Sequence, residues 1–240
     1  MKVLRYLTRR RTRRFSVIVL SVAWCLATGR SWAETIKGNV RYTGAPMEKK
    51  KASVTIDQYI CGNEKEPEDL MLSSNNGIRN AVVSLQNPPP NVKPDWKLPP
   101  AKMDQKQCSF VPRVVIVPAG ETMEFLNSDR LLHNVRSSAK ENSPFNRAQP
   151  HGRTISFVFK QPELLRVDCD LHSWMRGWVV VAAHPFYAVT NEQGEFSLEN
   201  VPPGKYILQV WQESLGNVTQ EVTVGDKGTT TVTVNMSKQK

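Results

Sequence analysis

Many short stretches of the chain are rich in Val, Ile, Thr and aromatics, and several alternate apolar with polar residues at a period of two, the spacing of a half-buried strand. Such runs predict strands at Ile36 to Tyr42, Ala81 to Leu85, Arg113 to Val117, Thr122 to Leu126 and Thr154 to Phe159. The series continues at Leu164 to Val167, Trp178 to Ala182, Gly194 to Leu198, Tyr206 to Trp211, Gln220 to Val224 and Thr229 to Val234. Turn-forming residues separate them, among them Pro118-Ala-Gly120, Asn127-Ser-Asp129 and Pro202-Pro-Gly204. Almost nothing carries the period of a helix, so an all-β chain built of β-sandwiches is expected. Asn87 to Lys102 holds six prolines and predicts an irregular connection, with Trp96 set against a sheet. Residues 62–76 are polar and predict a loop, and the basic run Met47 to Lys51 predicts a solvated edge.

Residues 1–33 depart from this pattern. Seven basic residues from Lys2 to Arg14 precede an apolar stretch, Phe15 to Ala27, and Ser31-Trp-Ala33 places small residues where a signal peptidase reads them. Export to the periplasm or beyond is expected, with cleavage near Ala33. The apolar stretch is too short and too early for a good membrane span, and no span is expected in the mature chain. Removing the segment changes the charge: the whole chain has 32 Lys+Arg against 22 Asp+Glu, but residues 1–33 hold eight basic residues and no acidic one. The mature chain is left near neutral, which removes the only support for nucleic-acid binding.

Three cysteines remain after Ala33: Cys61, Cys108 and Cys169. An odd count in an exported chain asks which thiol is unpaired. Cys169 opens the run Cys169-Asp-Leu-His172-Ser-Trp-Met175 between two predicted strands. A tight turn there gathers a thiolate, an imidazole and a thioether round one point, and soft sulfur with imidazole suits copper. His133, which follows the strand Thr122 to Leu126, supplies the second imidazole. Two His and one Cys with a distant Met is an electron-transfer set, so one type 1 copper ion alternating between Cu+ and Cu2+ is expected. Zinc competes for Cys and His but prefers a harder fourth ligand than thioether.

Asn134 is expected to tie the two ligand segments together and to donate near the sulfur. Trp174 and Trp178 are expected to shield the metal, and Arg176 to stay solvated nearby. His151 is expected on a loop, and His184 in a structural role. With Cys169 a ligand, Cys61 and Cys108 are left either as a disulfide fastening the N-terminal segment or as two separate buried thiols.

Phe110-Val-Pro112, the run Val117 to Asn127, His133-Asn-Val135, Phe157-Val-Phe159 and Cys169 to Met175 together resemble the cupredoxins, the family of plastocyanin, amicyanin and azurin. The resemblance implies a Greek-key β-sandwich over residues 104–183, with His133, Cys169, His172 and Met175 as ligands. Trp174 stands where the family has a small residue or proline, and Arg166-Val-Asp168 replaces its Tyr-x-Tyr run. Residues 186–240 resemble the carboxypeptidase regulatory-like modules, small transthyretin-like sandwiches, through Gly194-Glu-Phe196 and Val201 to Tyr206. Glycines at 194 and 204 would supply turns, and Phe196 and Tyr206 would face one core.

The opening strand and turn of such a module resemble Gly38-Asn-Val40 and Gly44-Ala-Pro46, within the N-terminal segment 34–103. The sharper expectation is a regulatory-like sandwich split into 35–86 and 186–240, with the copper module inserted. The resemblances imply an electron carrier between a redox-protein donor and acceptor, with no catalytic residues of its own. Copper storage or delivery is the second reading, and a structural or interaction protein with a degenerate site the third. Oligomeric state and reduction potential are not legible in the sequence.

Overall fold

A computed structural model describes residues 34–48, 50–90, 96 and 98–238. The export segment, residues 1–33, lies outside the described residues. Strand β1 (Glu34–Tyr42) is followed by two short ladders. The first joins β2 (Ala52–Ser53) to β3 (Glu64–Lys65) around the single-turn helix α1 (Gln58–Cys61). The second joins β4 (Met71–Leu72) to β5 (Ile78–Arg79), so the stretch expected as loop carries brief pairing. Then come β6 (Val82–Leu85), β7 (Ala101–Lys106), β8 (Ser109–Val111), β9 (Val114–Pro118) and β10 (Thr122–Asn127). Next are β11 (His133–Ser137), β12 (Asn146–Gln149), β13 (Ile155–Val158), β14 (Glu163–Asp168) and β15 (Arg176–Ala182). The last are β16 (Tyr187–Val189), β17 (Glu195–Val201), β18 (Gly204–Gln212), β19 (Gly216–Val224) and β20 (Thr229–Met236).

Four larger sheets form two facing pairs. In the first pair, the order β17-β1-β20 packs on β16-β6-β18-β19. Strand β1 lies antiparallel to β17 and parallel to β20, while β6 lies between β16 and β18. Segments from before residue 90 therefore complete sheets begun after residue 186. Ile36, Val40, Phe196, Tyr206, Leu208, Val210 and Val234 fill the space between the two sheets. Gly194 takes a φ of 80°, as a turn glycine does. Gly204 has no such backbone; a Cβ there would come within 3.1 Å of the Tyr206 hydroxyl.

The second pair sets β13-β10-β7-β8 against β12-β11-β14-β15-β9. Met103, Phe110, Met123, Phe125, Val135, Leu165 and Val179 are buried between these sheets. A seam joins the two pairs. Val114 and Ile116 of β9 and Val180 and Ala182 of β15 turn away from the second core to meet Val82 of β6. Strands buried on both faces lose their alternation and read as continuous apolar runs, as Val114 to Val117 and Val179 to Ala182 do. Trp178 lies on the seam side, its ring 4.7 Å from that of Trp211, so it does not shield the metal side as expected. The period of two decides this, because Val179 and Val181 take the inward positions. Trp96 also packs at the seam. Arg113 fixes the seam's end: its Nε lies 2.7 Å from Glu213 and its Nη1 3.1 Å from Glu68.

Candidate metal centre

Three strand ends build the centre. His133 opens β11, which pairs antiparallel with β14 through Arg136↔Asp168 and Ser137↔Val167. Cys169 follows β14 directly, and the chain then turns back into β15 at Arg176. Two backbone bonds close that turn: Met175 N–H donates to His172 O at 2.8 Å, and Cys169 N–H donates to Met175 O at 3.3 Å. All of Cys169, His172 and Met175 are thus held within one seven-residue loop, and Met175 is buried in the same core as Cys169.

The side chains converge. His133 Nδ1 lies 3.0 Å from His172 Nδ1, and Cys169 Sγ lies 3.8 Å and 3.5 Å from these two nitrogens. The circle through the three atoms has a radius of about 2 Å, the length of a metal–imidazole bond. Both histidines are fully buried and Cys169 nearly so. They form a buried His/Cys cluster able to coordinate a metal ion.

The far side of each imidazole explains its orientation. His133 Nε2 lies 2.9 Å from Asp129 Oδ2, and His172 Nε2 lies 3.1 Å from Asp57 Oδ2. A carboxylate accepts from an N–H, so the tautomer that satisfies both aspartates has its protons on Nε2 and leaves each Nδ1 free to face inward. Asp129 is fixed in turn by the N–H groups of Gln107 (2.6 Å) and Cys108 (2.8 Å). Asp57, at the start of α1, accepts the Ile60 and Cys61 N–H groups on its carbonyl. Cys61 and Cys108 are joined in a disulfide with 5.2 Å between their Cα atoms. The bridge therefore connects the segment that carries Asp57 to the turn whose N–H groups hold Asp129.

Burial lowers the His133 pKa below the ordinary imidazole value, against the opposing bond from Asp129, and favours the neutral ring. Burial pushes the Cys169 thiol up, against hydrogen bonds around the sulfur. A bound metal would displace that proton.

Asn134 links the His133 strand to the Cys169 turn, and it presents the opposite end from the one expected. Its Oδ1 accepts from Asp170 N–H at 2.7 Å and lies 3.3 Å from Cys169 Sγ, so the amide oxygen, not the NH2, faces the sulfur. Its Nδ2 is taken up by Asn146 at 2.8 Å and Asp170 at 3.1 Å. Trp174 lies edge-on to His172 with ring centroids 5.3 Å apart and donates from Nε1 to Cys108 O. Arg176 is partly exposed and reaches Asp168. His151 bonds the carbonyl of Asp129, and His184 Nδ1 accepts from Phe186 N–H.

Asp57 and Asp129 escaped the sequence reading. Asp129 had a signal, an acidic residue four positions before His133, hidden by its place in a turn-forming triplet. Asp57 had none, being 115 residues from its partner.

The family model of the carboxypeptidase regulatory-like domain matches residues 175–237. This C-terminal match opens inside the metal-site loop and runs through β15 before reaching the strands of the first sheet pair. No curated protein matches the chain. Among solved structures, a Cu-containing nitrite reductase from Thermus scotoductus SA-01 is 23% identical, with a TM-score of 0.33 over 40% of this chain. The alignment spans only 25% of that enzyme's length. A purple cupredoxin from Nitrosopumilus maritimus is 22% identical, with a TM-score of 0.31 over 34% of this chain and 99% of its own. A reduced amicyanin variant is 20% identical, with a TM-score of 0.32 over 42% of this chain and 98% of its own. These are distant, low-identity resemblances to blue-copper folds.

Proposed function

We propose that the protein is an exported type 1 copper protein that passes single electrons between two redox proteins. One observation carries this reading. With both Nε2 protons given to aspartates, two bare Nδ1 atoms 3.0 Å apart face each other beside a cysteine sulfur, away from water. Lone pairs so arranged repel unless a cation lies among them. The donor set fits copper better than zinc, because Met175 offers a thioether in the same turn and, among the described residues, the cluster is His133, Cys169 and His172 with no carboxylate in it.

Copper held there would supply a one-electron couple. The protein's part is to keep the donors still while the charge changes. Asp57 and Asp129 hold the imidazoles, the two backbone bonds close the loop, and the disulfide ties the Asp57 segment to the Cys108 turn that binds Asp129. The disulfide also supports an oxidising, exported location, in keeping with the signal-like residues 1–33. In this reading residues 101–182 are a cupredoxin sandwich inserted into a regulatory-like sandwich made from both chain ends. Complete burial of the histidines favours electron transfer over storage or delivery, which calls for an exchangeable ion.

Visible and electron paramagnetic spectra of the copper-loaded mature chain test the proposal. An intense thiolate-to-copper band with narrow hyperfine splitting is expected, and Cys169→Ser should abolish it. A colourless protein under oxidising, copper-replete conditions would refute the reading.

A further inference from the structure

The disulfide lies against the metal centre. Cys108 Sγ, a carboxylate oxygen of Asp129 and a ring nitrogen of His133 all fall within 4.8 Å of one another, and all three residues are buried. Cys61 contributes the second sulfur by its bond to Cys108. While that bond stands, neither sulfur is a thiolate and the group cannot hold a soft ion. We propose that Cys61 and Cys108, once reduced, form a second soft-metal site that takes a cuprous ion beside the centre built on Cys169.

The chemistry closes without further parts. An external dithiol delivers two electrons and two protons to the Cys61–Cys108 bond, which breaks to give two thiols while the dithiol becomes a disulfide. A cuprous ion then replaces the two thiol protons, which pass to solvent, and no electron changes hands in that step. Two thiolates suit a soft monovalent ion. Asp129 would still accept the Cys108 N–H and so keep that cysteine in place.

Cys61 closes α1, a single turn on which Tyr59 is exposed, and Ile56 just before that turn is exposed too. The second site would share His133 as a neighbour with the first, whose inward atom is Nδ1. Metal capacity therefore follows the redox state of this pair: one ion per chain when it is oxidised, two when it is reduced.

Anaerobic titration of the mature chain with silver(I), a soft ion that does not change valence here, tests this by native mass spectrometry. The disulfide form should bind one ion, and the form reduced with a phosphine two. Cys169→Ser should bind none when oxidised and one when reduced, so the second site is read separately from the type 1 proposal. Alkylating Cys61 and Cys108 in the reduced Cys169→Ser chain should abolish the remaining ion, without reliance on further variants that fail to fold. Equal stoichiometry in the two redox states, or an additional ion that survives alkylation, overturns the proposal. So does loss of the near-ultraviolet circular dichroism of the folded chain on reduction, since the site needs Cys108 and Asp129 where they are.

Discussion

The two cores of this molecule use polar groups in opposite ways. In the core around Leu208, buried polar side chains act singly on nearby backbone. Thr190 accepts from Ala81 N–H and donates to Ile78 O, and Gln212 reaches Asp69 O while accepting from Ser214 and Leu215. At the metal end of the other core they are linked to each other. Gln105 donates to Gln149, whose carbonyl is bound by Asn127; Asn127 supports Asp129, Asp129 holds His133, and His133 faces His172 and Asp57 beyond it. The first core is held by buried area and pinned locally. The second spends part of its interior on orientation. Damage to one should cost stability, and damage to the other should cost geometry as well.

The largest break in that comparison is expected from Leu208→Ala, at a fully buried position. Stability should fall by about 3 kcal/mol, a usual cost for a buried leucine cavity. Metal stoichiometry and spectrum of the chain that remains folded should not change. Denaturant unfolding followed alongside metal analysis would read both.

Asp129→Ala should cost about 2 kcal/mol, because one buried and one part-buried backbone N–H and one imidazole lose their acceptor. Unlike the leucine change, it should also weaken metal binding by roughly 10- to 100-fold, the usual penalty for losing a carboxylate behind a histidine ligand. Chelator competition on the folded variant would measure it. Unchanged affinity would mean that the hydrogen-bonded chain serves stability alone.

Glu163 provides the smallest test. Burial raises its pKa, but the N–H groups of Lys140 and Asn142 and the Asn142 amide outweigh burial and hold it below the ordinary carboxylate value. The unfolded chain then takes up the proton more readily. The stabilisation is present above the ordinary glutamate pKa and is lost as pH falls through the lower folded value. Glu163→Gln should lower stability by about 0.5 kcal/mol at neutral pH, solvent screening having weakened these bonds, with the difference shrinking in acid. Unfolding curves across that range would check it, and metal affinity should stay level.

Much of the fold was legible because most strands keep apolar residues on one face. The seam strands were legible for the opposite reason, since burial on both faces gave unbroken runs such as Val114 to Val117. Among the strands that went unread, β7 and β11 lie close to the site. In β7 the inward positions are Ala101, Met103 and Gln105, and in β11 they include His133. Polar side chains facing inward erase the alternation that announces a strand. The Cys169 to Met175 loop survived as a signal because its ligands are neighbours in sequence. Asp57 did not, because folding alone brings it to His172.

The pairing of β1 with β20 bears on how the chain would carry tension. The strands run parallel, in register from Thr35↔Thr229 to Tyr42↔Met236. Pulling residue 34 away from residue 238 would slide the strands along each other, so their ladder bonds share the load and part together. Residues 101–182 lie between these two strands in sequence but outside the ladder. The Cys169 to Met175 loop would stay slack until that clamp slipped.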